Sequence, residues 1–296
     1  MLIFACPGQG SQSEGFLKPW IEAYPPLTEK LNQLSEACGR DLVRLGTDAP
    51  EEEIKDTANA QRLIVGASIA IARVALAGKA PDGVLGHSVG EFAAAAISGV
   101  LSDEEAIELV GIRADAMAKA AAMEPTSMAA VLGGDESQVL SKMESLGLEP
   151  ANFNGASQIV AAGLKSQIEK LVADPPEKAK VIELKVAGAF HTRYMQSAVE
   201  QVRLASAKLT PGNPRMKLWS NSDGAMVESG QAYLESLVAQ IARPVRWDKC
   251  MASINHDGVL VVELPPAGAL SGLIKRGAPL VSAVALKSNL DLEKVS

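Results

Sequence analysis

Cysteine is scarce: Cys6, Cys38 and Cys250 are far apart, odd in number and without C-x-x-C spacing. They suggest neither a disulfide framework nor a thiolate zinc site, and a reducing, cytoplasmic compartment is the expectation. Long apolar runs are also missing. No stretch reaches about 18 residues without a charge or a helix-breaking cluster, so no membrane span is expected. The start, "MLIFACPGQG", has no basic flank before its short hydrophobic run, so no signal peptide is expected either. Basic charge is in deficit, with 28 Lys plus Arg against 35 Asp plus Glu and a net charge of −7. This argues against a general nucleic-acid surface. Neither internal repeats nor low-complexity tracts occur. What is abundant is apolar material, 47% of the 296 residues, enough to fill the core of one large domain or two modest ones.

Apolar runs alternate with helical patterns. "LIFACP" and "DGVLGHS" each precede a helix, and "MKLWSN" and "GVLVVELP" follow later. This alternation predicts an α/β protein with a largely parallel sheet, whose buried strands read as continuous hydrophobic runs. Residues 59–78 are apolar nearly all round, apart from Gln61, Arg62 and Arg73, which suits a helix buried against that sheet. From 126 to 186 the order is strand, helix opened by Asp135, strand, strand, helix, strand. A βαββαβ order is that of a ferredoxin-like module. The expected division is therefore a catalytic domain of residues 1–125 and 189–296, an α/β-hydrolase-like core, with a ferredoxin-like small domain inserted at 126–188.

The stretch "GHSVG" places Ser88 between Gly86 and Gly90, after the apolar run "DGVL" and before "EFAAAAISG". G-x-S-x-G in that setting forms a sharp strand-to-helix turn that lifts a nucleophilic hydroxyl above the sheet. The helix also points free N–H groups at the same spot. The other reading of Ser88 is a simple helix cap. A serine needs a base within hydrogen-bond reach, and only three histidines are available. His87 adjoins Ser88 and points elsewhere on a tight elbow, and His256 lies in the polar turn "SINHDG". His191, in "VAGAFHTRYM" where the chain re-enters the main domain, is the candidate base, the alternative being a structural role. An oxyanion donor is expected from the backbone N–H of Val89, and a second from Gln9 in the glycine-rich turn "PGQGSQ". That turn does not complete a dinucleotide fingerprint, because the third glycine position is Ser13.

Taken together, "PGQGSQ", "GHSVGE", Arg113, "GAFH" at 188–191 and "PVRW" at 244–247 closely resemble the malonyl-CoA:acyl carrier protein transacylases of fatty acid synthesis, over essentially the whole chain. The resemblance implies that Ser88 becomes malonylated and that His191 takes and returns its proton. It further implies that Arg113 pairs with the free malonate carboxylate, that the backbone carbonyl of Gln240 orients His191, and that Gln9 and Val89 supply the oxyanion hole. A planar two-donor guanidinium suits a carboxylate. No metal or redox cofactor is implied, since CoA belongs to a substrate. The implied partners are malonyl-CoA and acyl carrier protein, and a monomer is the default. "LPPAG" at 264–268 stands where many relatives carry a G-P-G turn, and Phe190 resembles the malonyl-selective form of related acyltransferases. Lys185, Arg193, Arg243, Arg246, Lys249, Lys275 and Arg276 are candidates to dock an acidic carrier protein. A discrete polyketide or malonate decarboxylase acyltransferase is an alternative, as are a serine esterase and a non-catalytic carrier-binding scaffold.

Overall fold

Ten strands are named in chain order: β1 Leu2–Cys6, β2 Gly83–Gly86, β3 Thr126–Gly133, β4 Glu149–Gly155, β5 Gln158–Leu164, β6 Ala179–Glu183, β7 Lys217–Trp219, β8 Val245–Arg246, β9 Leu260–Glu263 and β10 Ser282–Ala285. They come from a computed structural model that describes residues 1–295. The continuous apolar runs pair in parallel in the order β10-β9-β1-β2-β7. The burial of β1 and β2 on both faces explains why their sequences do not alternate.

The helix Gly90–Ser98 follows β2 and is buried along its whole length. Ala93 to Ala96 are fully buried. Four methyl side chains let this helix lie close to its neighbours, Thr57–Val74 and Asp103–Ala121, which it touches on both sides. The helix Asp103–Ala121 opens with a reciprocal capping box, in which Glu105 N–H donates to Ser102 Oγ and Ser102 N–H to Glu105 Oε2. Its register is thereby fixed from the first turn, and that register sets the inward face on which Arg113 lies.

The second sheet runs β6-β3-β5-β4-β8. Its first four strands are antiparallel and arise from the predicted βαββαβ order, with helices Glu136–Ser145 and Lys165–Ala173 between them. Asp135 caps the first of these helices by accepting from Gln138 N–H at 3.1 Å. Two details differ from the sequence expectation. The last strand ends at Glu183 rather than continuing toward Gly188. Leu184 still donates to Met128 O at 2.8 Å, but the chain then leaves the ladder, and Leu184 and Val186 become part of a cavity wall beside Ser88. Moreover, β8 comes from beyond residue 188 and pairs in parallel with β4, so the small sheet takes an edge strand from the later chain. Among the described residues, no helix is long and apolar enough to cross a membrane.

Candidate active site

The turn after β2 needs its glycines because backbone crosses backbone there. A Cβ on Gly86 would lie 2.2 Å from the Gly90 carbonyl carbon, and one on Gly90 would lie 2.2 Å from Cys6 O. Neither position has room for a methyl group. Ser88 is thus forced into the left-handed region, at φ 53°, a state that costs a non-glycine residue about 1–3 kcal/mol. Asn221, two residues after β7, holds it there. Its Oδ1 accepts from Ser88 N–H at 2.8 Å and its Nδ2 donates to Gly86 O at 2.7 Å.

Ser88 Oγ lies 2.6 Å from His191 Nε2. The other ring nitrogen, Nδ1, donates to the backbone carbonyl of Gln240 at 2.8 Å. With the proton assigned to Nδ1 by that acceptor, Nε2 presents its lone pair to the serine hydroxyl. His191 is also left-handed, at φ 64°, and buried. Burial, and then the charge of Arg113, push its pKa down to about 3 against the opposing Gln240 bond. The imidazole is therefore neutral near pH 7, the state a proton acceptor requires.

Arg113 reaches the same cavity from the helix Asp103–Ala121 and is 1% exposed. Its Nη1 donates to Gln61 Oε1 at 2.6 Å and its Nη2 to Gln240 Oε1 at 3.0 Å, with the guanidinium over the Phe92 ring. Both partners are neutral amides, and Nε has no acceptor. Desolvation lowers the Arg113 pKa to about 9 while Glu91 opposes it, so the group stays cationic at neutral pH. A buried cation held by neutral oxygens is well suited to an incoming carboxylate.

Gln9 and Val89 line this cavity, of about 100 Å³, together with Met117, Met128 and Phe190. Neither Gln9 nor Val89 donates its backbone N–H to another group among the described residues. The structure thus brings Ser88, His191, Gln240, Arg113, Gln9 and Val89 to one place. Of the other two histidines, His87 also lines this cavity, but its ring is engaged away from the Ser88 hydroxyl. His87 Nε2 donates to Asn154 Oδ1 at 3.0 Å and its ring meets Trp247 edge-on, while His256 is exposed. All three cysteines are free and buried. Among the described residues, no group of three or more His, Cys, Asp or Glu could hold a metal ion.

Sequence reasoning passed over Gln61, Asn221 and the carboxylate of Glu91. The available signal for Asn221 was a polar residue at the carboxyl end of a buried parallel strand, where sites in open α/β sheets gather. A larger cleft of about 530 Å³ lies alongside, lined in part by Asn221, Gln240, Arg243 and Arg246.

The acyl transferase domain family matches residues 3–286. The malonyl CoA-acyl carrier protein transacylase of Mycobacterium tuberculosis strain H37Rv is 49% identical over 302 residues, covering 100% of this chain and 99% of that protein. The crystal structure of MCAT from Mycobacterium tuberculosis superposes with a TM-score of 0.95 at 48% identity, covering 100% and 99%. A malonyl-transacylase solved with its type II PKS acyl-carrier protein gives a TM-score of 0.92 at 30% identity, covering 99% and 98%. This chain belongs to the acyl transferase domain family, and relatives such as those of Mycobacterium tuberculosis and Escherichia coli are malonyl CoA-acyl carrier protein transacylases.

Proposed function

We propose that this chain transfers a malonyl group from malonyl-CoA to the pantetheine thiol of acyl carrier protein through a malonyl-Ser88 intermediate, supplying fatty acid chain elongation. One observation carries the reading. A serine and a neutral histidine at 2.6 Å share a cavity with a buried arginine whose partners are neutral amides. An ester hydrolase has no use for that cation, whereas a malonyl thioester carries a free carboxylate to meet it.

In the first half-reaction Ser88 Oγ attacks the thioester carbon as its proton passes to His191 Nε2. The carbonyl oxygen takes up negative charge against the N–H groups of Gln9 and Val89. The C–S bond then breaks, and His191 returns the proton to the departing CoA sulfur. In the second half the pantetheine thiol gives its proton to His191 and attacks the Ser88 ester carbonyl; the C–Oγ bond then breaks, His191 returns the proton to Ser88 Oγ, and the malonyl thioester leaves. The Gln240 carbonyl stands where many serine enzymes use a carboxylate. A neutral acceptor stabilises imidazolium less, which fits the low pKa of His191.

The names of the relatives, and the carrier protein bound to one similar structure, support the choice of acceptor. Lys185, Arg243, Lys249, Lys275 and Arg276 are exposed and form no salt bridge among the described residues, so they remain available to an acidic partner. Arg193 and Arg246 are already paired, with Glu149 and Asp248. We read the parallel sheet with its serine elbow as an α/β-hydrolase-like core of residues 1–125 and 189–296. Residues 126–188 are the ferredoxin-like module, a reading supported by the strand order β6-β3-β5-β4. The enzyme is taken to act as a cytoplasmic monomer without a cofactor. The test is exchange: labelled CoA should enter malonyl-CoA without any carrier protein, and absence of exchange in an enzyme that still malonylates carrier protein would contradict the two-step route.

A further inference from the structure

Glu91 has no part in the steps above, yet it lies at their centre. It stands three residues after Ser88 in the first turn of Gly90–Ser98 and is 0% exposed. Its Oε1 accepts from Asn221 N–H at 2.8 Å and from the Tyr233 hydroxyl at 3.3 Å, and its Oε2 accepts a short bond from Gln240 Nε2. Every partner is a donor. An ionised carboxylate satisfies all three, whereas a protonated acid or an amide brings a hydrogen where an acceptor is wanted.

Gln240 links this anion to the rest of the site. Its Nε2 faces Glu91 and also donates to Ser88 O at 3.0 Å, while its Oε1 accepts from Arg113 at 3.0 Å. The amide is therefore threaded between a buried anion and a buried cation, and its orientation follows from their charges. If the anion were lost, only the Ser88 carbonyl and Arg113 itself would keep the amide oxygen toward Arg113. A flipped amide would present NH₂ to the guanidinium, donor against donor.

We propose that Glu91 is a positioning residue for substrate selection. Through the Gln240 side chain it fixes the aim of Arg113, so that an acyl group bearing a carboxylate is preferred over one without. This rests on the reading of Arg113 as the carboxylate anchor. The role is separable from simple support of the elbow. Loss of support would slow every acyl donor alike, but loss of Arg113 aim should fall on malonyl alone.

The experiment compares single-turnover acylation of Ser88 by malonyl-CoA and by acetyl-CoA in the full-length wild type, Glu91→Gln, Glu91→Asp and Gln240→Met. Circular dichroism and thermal melting confirm folding. In Glu91→Gln the malonyl-to-acetyl rate ratio should fall about tenfold, the scale of one charge-assisted hydrogen bond. Glu91→Asp, which keeps the anion one methylene shorter, should recover part of it. Gln240→Met keeps the backbone carbonyl on His191 but cuts the link, so it should lose the ratio too and serves if Glu91→Gln does not fold. A ratio unchanged from wild type in Glu91→Gln or in Gln240→Met, whatever the absolute rates, overturns the proposal. A wild type that forms no malonyl ester on Ser88 instead overturns the functional reading on which it stands.

Discussion

His191 donates through Nδ1 to the backbone carbonyl of Gln240 at 2.8 Å while its Nε2 lies 2.6 Å from Ser88 Oγ. The base is thus oriented by main chain, whose position depends on the fold rather than on one exchangeable side chain. Replacing His191 by Ala leaves Ser88 without an acceptor for its proton. Acylation should slow by about 10²- to 10⁴-fold in stopped-flow measurements, with the melting temperature nearly kept. A loss below threefold would mean that another group takes the proton.

Arg113 is the only charged group described in the cavity that contains Ser88. Arg113→Ala should lower malonyl transfer about 100-fold, as expected when charge-assisted contacts to a carboxylate are removed. Acetyl transfer and slow hydrolysis should be relatively preserved. Unchanged malonyl kinetics would show that the carboxylate lies elsewhere.

Phe190 lines that cavity beside His191 and is nearly buried. A ring there leaves little space for a methyl branch on the α-carbon. Methylmalonyl-CoA should therefore be the poorer substrate by about 10- to 200-fold in kcat/KM, the range for one methylene-sized difference. Equal values for the two thioesters would refute this.

The pH dependence of acylation should follow Glu91 rather than the base. Burial raises the Glu91 pKa to about 7 against the bonds from Asn221, Gln240 and Tyr233 and the charge of Arg113; the other titratable neighbour is Cys250. His191, with its pKa near 3, stays neutral throughout the range from pH 6 to 8. Falling pH protonates Glu91 and removes the anion that aims Arg113. Single-turnover malonylation should thus rise from pH 6 to 8 in the wild type. In Glu91→Gln, which resembles the protonated form, it should be flat and near the acidic level of the wild type. A flat wild-type profile would contradict the assignment.

Much of this arrangement was legible in the sequence because its signals are local. G-x-S-x-G between an apolar run and an alanine-rich helix specifies the elbow through steric demands within five residues, and Gly86 and Gly90 meet backbone as that pattern requires. The βαββαβ order could likewise be read from successive elements. Pairings between distant segments could not. The parallel attachment of β8 to β4 rests on a two-residue strand, too short to carry a periodic signal. Asn221 and Gln61 act across 133 and 52 residues of chain, and each looks locally like an ordinary polar residue in a turn or on a helix. Glu91 stood in plain view within "GHSVGE", but a glutamate in a helical first turn is ordinarily no more than a favourable charge at an N-terminus. Its burial, and hence its effect on Arg113, depends on how three helices and the turn after β7 come together.

A malonyl ester on Ser88 that carrier protein removes is tested by intact-mass measurement after brief mixing with malonyl-CoA. Wild type and Ser88→Ala are run side by side, with holo acyl carrier protein added afterwards. One malonyl adduct is expected on the wild type, none on Ser88→Ala, and discharge of the adduct with gain of the same mass by the carrier protein. An adduct that persists on Ser88→Ala, or no adduct on either protein, would contradict it.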